Sequence, residues 1–264
     1  MPRIVRWSKS PIKDGIQIVT LRTWKYFSEF LDNELSSSWK YLFRGQASSD
    51  WPLEPSLHRL LKQVGRDDRI VTREHHLNMF HLAARGRRGP NPPAIGSEDE
   101  WWALGQHHGL ATPLLDWTES PFAALFFAFE QERKENIPGR YRAVYAFLEM
   151  ASHVRMPMSS VDEGIEPIYP PRIIRPLSDE NTRLVSQRGV LMLVRSPMRV
   201  ESWVTETYKG QEKVRVLIVI QIPHKGREDC LRFLNQMNIN HLSLFPDLQG
   251  ASEYCNMSLA IENY

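Results

Sequence analysis

Three short polar islands interrupt apolar stretches of the sequence, and they hold the residues whose types and spacing could do chemistry. In the first, Phe43-Arg44-Gly45-Gln46, an arginine stands at the end of an apolar run. A guanidinium is costly to bury unless its charge is paired. Arg44 is therefore either half of an internal ion pair or a group aimed at a ligand phosphate or carboxylate. Gly45 beside it would let a ligand come close to the main chain, and Gln46 adds an amide. The second island, Gln106-His107-His108, leads into Leu114-Leu115-Asp116-Trp117-Thr118. His107 with Asp116 could act as a base and its orienter, and Trp117 offers a stacking face. In the plainer alternative Asp116 or Thr118 caps the next helix and His107 is a hydrogen-bonded core residue. The third island, RLVSQRG at residues 183–189, puts Gln187 and Arg188 where polar groups could line the mouth of a cleft. Simple solvation is the plainer account of them.

Other chemistries find less support. There is no phosphate-binding glycine loop, dinucleotide fingerprint, His-Glu-x-x-His or Gly-x-Ser-x-Gly. His75, His76, His81, His107 and His108 show no ligand spacing beyond adjacency, and the two cysteines, Cys230 and Cys255, cannot form a four-thiolate site. No metal is expected. With 33 basic and 31 acidic residues the net charge is +2, which gives no global pull toward nucleic acid or a membrane. The local exception is Arg85, Arg87 and Arg88 in ARGRRGPNPP. That cluster could meet phosphates, or it is a basic helix end of the ordinary kind.

The elements that must position these groups follow from pattern. The 264 residues, 42% hydrophobic and 24% charged, suit a globular chain with a substantial core. Two cysteines make no disulfide framework, and no apolar run approaches the length of a membrane span; a cytoplasmic location is expected. Apolar spacing predicts a helix over 24–35 capped by Thr23, and another over 67–84. Ser97 with Glu100 three residues on starts a third. Ser120-Pro121 starts a fourth, apolar on every side through 122–129 and therefore central and buried. Strands are predicted at 41–43, 112–115, 141–148, 190–194 and 214–222, with Asp116-Trp117-Thr118 as an exit from the second. A proline-marked excursion at 156–179 reads as a functional or covering loop. A helix near 227–237 and one after LFPDL close the chain. The fold class is α+β: a single domain with a mixed or antiparallel central sheet and a buried central helix.

Four blocks, YLFRGQASSDWPLEPSLHRL, QHHGLATPLLDWTESPFAALFFAF, NTRLVSQRGVL and LFPDLQG, occur in this order over residues 41–250. Together they resemble the FRG-domain family, named for its Phe-Arg-Gly motif. Ala111 and Pro113 stand where the family's GLPTRLLDWT pattern has proline and arginine. The resemblance implies one FRG-like domain over residues 1–264, in a bacterial or phage protein tied to defence, with a toxin or antiphage effector as the expected type. Its aromatic-Arg-Gly is in turn similar to the first motif of arginine-type ADP-ribosyltransferases. There the arginine holds NAD phosphates, a later strand carries Ser-Thr-Ser, and a glutamate activates the reaction. That likeness implies an ADP-ribosyltransferase-like fold and NAD or another nucleotide as ligand, with transfer or hydrolysis at a glycosidic bond. Arg44, Gly45, Gln46, Trp117 and Thr118 would bind the nucleotide, and His107, Asp116 and Gln187 would orient or polarise the reacting group. Asp116-Trp117-Thr118 loosely occupies the second motif. The third has no counterpart, because no Glu-x-Glu or Gln-x-Glu precedes a strand; Glu201 and Glu206 would be guesses. Two other classes stay open. One is a non-catalytic module that binds a protein partner or nucleic acid, using eight tryptophans and Arg85, Arg87 and Arg88. The other is a metal-dependent nuclease using Asp116 with His107 and His108.

Overall fold

Alternation at period two sorts the strand residues onto two apolar faces, and that sorting builds a sheet covered on both sides. The computed structural model describes residues 5–35, 40–132, 140–154, 169–176, 182–195 and 198–264. Within them the strands are β1 (Trp7–Lys9), β2 (Ile16–Leu21), β3 (Tyr41–Gln46), β4 (Leu114–Thr118), β5 (Tyr141–Leu148), β6 (Arg172–Ile174), β7 (Gly189–Leu193) and β8 (Leu217–Pro223). They form one sheet in the order β1-β2-β8-β5-β3-β4-β7-β6. Only the β2–β8 pairing is parallel, so the sheet is mixed and the α+β expectation holds. The helices are α1 (Phe27–Glu34), α2 (Ser56–Gln63), α3 (Ile70–Ala84), α4 (Glu98–His107), α5 (Pro121–Glu130), α6 (Thr182–Ser186), α7 (Val200–Thr207), α8 (Arg227–Gln236), α9 (His241–Leu244) and α10 (Leu248–Ala260). No helix among the described residues is long and apolar enough to cross a membrane.

Tyr41, Phe43, Val144 and Ala146 join Ile218 and Ile220 beneath α5 and α8. The intervening residues Leu42, Ala143, Tyr145 and Phe147 pack on the other face, against Trp203 of α7. A third cluster, under α2, α3 and α4, takes Leu114 of β4 and Leu191 and Leu193 of β7. The expected central helix is α5. Ser120 caps it by accepting from the Ala123 amide at 3.2 Å, and Ala124, Phe126, Ala128 and Phe129 are fully buried. A helix leaves its last carbonyls without internal partners, and here two arginines take them. Arg142 of β5 donates to the carbonyls of Ala128, at 2.6 Å, and Gln131, at 2.9 Å. Arg227 at the head of α8 donates to those of Phe129 and Glu130. Cations at this end also oppose the helix dipole.

The feature that opens the site is a fork. β3 pairs with β5 along its whole length and β4 with β7 along its own, yet β3 and β4 share a single register pair, Phe43 opposite Thr118. Ion pairs of Glu119 with Lys40 at 2.6 Å and Arg175 at 3.2 Å clamp the closed end.

Several boundaries differ from expectation. β3 continues through Arg44 to Gln46, and β4 runs to Thr118, so Asp116-Trp117-Thr118 is strand and not exit. The hydrogen-bonded pairing to β7 holds the polar Asp116 in the strand. Thr23 makes no side-chain cap; a 3-10 turn at Trp24–Tyr26 leads into α1 instead. β1, β2, β6, α6, α7 and α9 have no counterpart among the expected elements. β6 falls within the 156–179 excursion, of which 156–168 and 177–179 lie outside the described residues.

Candidate functional site

Beyond the Phe43–Thr118 pair the strands part, and a cavity of about 360 Å³ opens there. Its floor is one sheet face: Phe43 and Gly45 of β3, Asp116 and Thr118 of β4 and Leu191 of β7. Ala103, Gln106 and His107 of α4 form one wall, and Phe127, Glu130 and Gln131 at the end of α5 form another. Arg183, Leu184, Gln187 and Phe245 close it from the C-terminal part of the chain. The three polar islands meet in this cleft: Arg44, Gly45, His107, Asp116, Trp117, Thr118 and Gln187 all line it. Gln46 does not. It is buried to one side, and its Oε1 has no hydrogen-bond partner.

Arg44 reaches across the fork. Its Nη1 donates to the main-chain oxygen of Asp116, a carbonyl that continued strand pairing would otherwise engage. Its Nε is buried without a partner, and among the described residues no carboxylate forms an ion pair with it. Burial depresses the guanidinium's pKa, and the negative charge of Asp116 partly offsets this. The internal ion pair weighed from sequence is therefore not formed; a cation sits at the cleft with a carbonyl as its partner.

Residues 39–137 match the family model of the FRG domain. Over this segment the chain is similar to the FRG domain. No curated protein and no solved structure matches the chain. The FRG segment runs from just before β3 to just beyond α5, and so supplies the floor of the cleft except Leu191, together with the α4 and α5 walls. Gln187, Arg183 and Phe245 come from later in the chain.

Within the FRG segment the geometry corrects four assignments. The first concerns Gly45. A Cβ there would lie 1.9 Å from the Ala124 carbonyl oxygen and 2.6 Å from the Ala128 nitrogen. The glycine lets α5 lie on β3, and the space read as room for a ligand belongs to the helix. The second is Trp117. It is 2% exposed, and its ring packs against Phe147 at 5.9 Å on the opposite face, so it offers no stacking surface. The third is the Asp116 carboxylate, which accepts from Gln106 Nε2 at 2.7 Å and not from His107; Gln106 is in turn held by the Thr112 hydroxyl. The fourth is Thr118, whose hydroxyl is committed on both sides. It donates to the Gln187 carbonyl at 2.7 Å and accepts from the Ser120 amide at 2.9 Å.

His107, at the last turn of α4, faces the cleft with its pKa below the ordinary 6.5. Burial is the main cause, helped by His108 and Arg183 and opposed by Asp247. Gln187 donates its amide to the Leu244 carbonyl at 3.1 Å, which ties the α6 wall to α9. Arg188 points elsewhere and pairs with Glu119 at 3.4 Å. Glu201 accepts from the Leu53 amide at 2.8 Å and is absent from the cleft lining. Outside the cleft, Arg87 donates to the Ala83 carbonyl at 2.6 Å. Arg88 donates to the Pro93 carbonyl and lies over the Trp101 ring at 5.3 Å. Arg87 thus holds a carbonyl of the last turn of α3, and Arg88 is tied to the loop that follows. Among the described residues no group of three or more His, Cys, Asp or Glu is arranged to hold a metal ion.

Sequence reasoning missed Glu130, Phe245 and the part played by Arg183. Glu130 ends the apolar α5 run, where a polar residue reads as a turn toward water. Instead its carboxylate meets His241 Nε2 at 2.9 Å. Arg183 lies over the Phe245 ring at 5.4 Å and bonds Asp247 at 2.6 Å and Gln249 at 2.9 Å.

Proposed function

We propose that the cleft binds a phosphate-bearing nucleotide, with NAD as the first candidate, and that the protein breaks or transfers at its glycosidic bond. The observation that carries this reading is Arg44, which lines the cleft at the fork with its buried Nε unpartnered and, among the described residues, no carboxylate in an ion pair with it. Such a group favours an anion, and a phosphate can engage it through more than one nitrogen. The cavity is of the size that holds small molecules. Phe127 and Phe245 supply apolar lining where Trp117 does not. The likeness of Phe-Arg-Gly to the first motif of arginine-type ADP-ribosyltransferases points the same way. His107, held toward its neutral form, can accept a hydrogen bond or a proton from the ligand. An antiphage or toxin role in a bacterial cytoplasm accords with the FRG domain and follows from that resemblance alone.

Purified protein, alone or with cell extract, should bind NAD and consume it or label a target with ADP-ribose. Arg44→Ala should lower that activity by hundreds-fold, the scale of losing a charge-assisted contact worth several kcal/mol. A wild-type protein that neither binds nor turns over NAD under both conditions overturns the reading.

A further inference from the structure

We propose that Glu130 is the carboxylate that acts on the glycosidic bond in this cleft and that His241 is its positioning residue, an inference that rests on the nucleotide reading above. Two carboxylates line the cavity, Asp116 and Glu130. Asp116 is engaged by the amide of Gln106, a group that does not titrate. Glu130 is engaged by an imidazole, with His241 Nε2 2.9 Å from Oε1.

The imidazole is fixed from several directions. His241 is 3% exposed, edge-on to Phe126 at 5.0 Å and stacked on Phe245 at 5.7 Å. Its Nδ1 is buried and meets no acceptor. A proton on Nδ1 would be stranded, whereas one on Nε2 has the carboxylate to receive it. His241 is therefore the Nε2–H tautomer and donates to Glu130. The backbone beneath it is set by a capping box, in which Asn240 accepts from the Ser243 amide at 3.0 Å and Ser243 from the Asn240 amide at 3.1 Å. The main-chain carbonyl of Glu130 is held by Arg227. Gly45, the neighbour of Arg44, lies against Ala124 and Ala128, and Glu130 follows two residues after Ala128. One packing contact therefore places the phosphate-seeking cation and this carboxylate on the same cleft. Such support around a reacting group is what precise positioning requires.

The chemistry balances with water as the co-reactant. The bond from the ribosyl carbon to nitrogen breaks, and the leaving base takes the electron pair; for NAD it departs as neutral nicotinamide. Glu130 faces the electron-poor ribosyl carbon and takes a proton from the attacking water as that oxygen bonds to carbon. The proton then passes to solvent.

The test uses the full chain with NAD as the probe. Glu130→Gln keeps an oxygen that can accept from His241, so thermal stability and calorimetric NAD binding should stay near wild type. Turnover should fall by roughly 100-fold or more, the usual range for a general base. His241→Phe removes the donor that positions the carboxylate and should lower kcat with KM for NAD little changed, while His241→Gln, which retains an N–H, should restore kcat. Wild-type turnover in Glu130→Gln overturns the assignment and leaves the nucleotide reading standing. Wild type inert toward NAD, with no binding, overturns both. If Glu130→Gln does not fold, a wild-type kcat in a folded His241→Phe, or a loss that His241→Gln does not rescue, overturns the assignment by itself.

Discussion

Arg44 and His107 both line the cleft, and burial is the first cause that disfavours the charged form of each. For the arginine this raises the value of an anionic ligand. For the histidine it has a sign that can be measured. Burial, His108 and Arg183 all disfavour the imidazolium, and Asp247 alone favours it. The His107 ring should therefore titrate with a midpoint below 6.5, followed by its ring-proton shifts in NMR. Asp247→Asn, which removes the one favourable charge, should lower the midpoint further. A midpoint at or above 6.5 in wild type would contradict this. Because the folded-state value lies below the unfolded one, the unfolded chain binds more protons as pH falls through 6.5. The contribution of His107 to stability is thus present above that pH and lost below it.

At the scale of elements, α5 on β3 is the contact from which the cleft follows, and Gly45 makes it possible. Gly45→Ala would drive a methyl into main-chain atoms of α5 at 1.9 and 2.6 Å, atoms that cannot swing aside as a side-chain tip can. A loss of about 1–3 kcal/mol or more is expected from such overpacking, read as a lower midpoint in denaturant. A midpoint equal to wild type would mean that α5 can lift from the sheet freely. The start of α5 was legible because Ser120-Pro121 and the unbroken apolar run are local signals, and the same is true of the Ser97 cap of α4. β4 was cut short because Asp116 looks like a turn residue in sequence, although its pairing with Leu191 keeps it in the strand. The alternating IQIVTL of β2 carried its signal and was passed over. The polar islands could be read one by one. What could not be read is what meets them: Gln106 on the Asp116 carboxylate, the turn of Trp117 to the far face, and His241 beside Glu130, 111 residues away along the chain.

At the scale of the whole molecule, chain order and sheet order disagree most sharply at β8. It is the last strand in sequence, yet it lies between β2 and β5, pairing with the first in parallel and the second antiparallel. A chain ended after residue 216 leaves β2 and β5 each with a bare edge of unpaired amides and carbonyls, flanked by Val19, Val144 and Ala146, which are fully buried in the complete fold. Exposed apolar edges of this kind recruit one another. Such a fragment should sediment as aggregate where the full chain stays in solution; a monomeric, soluble fragment would contradict this. During synthesis the same geometry sets an order of events. The ribosome releases Arg44, His107, Asp116 and Glu130 well before Leu217 emerges to close the sheet, and His241 emerges later still. A nascent chain therefore carries the charged half of the cleft for a long interval before it has the strand and the imidazole that complete it, so any activity that needs all of these groups can begin only once synthesis has passed His241.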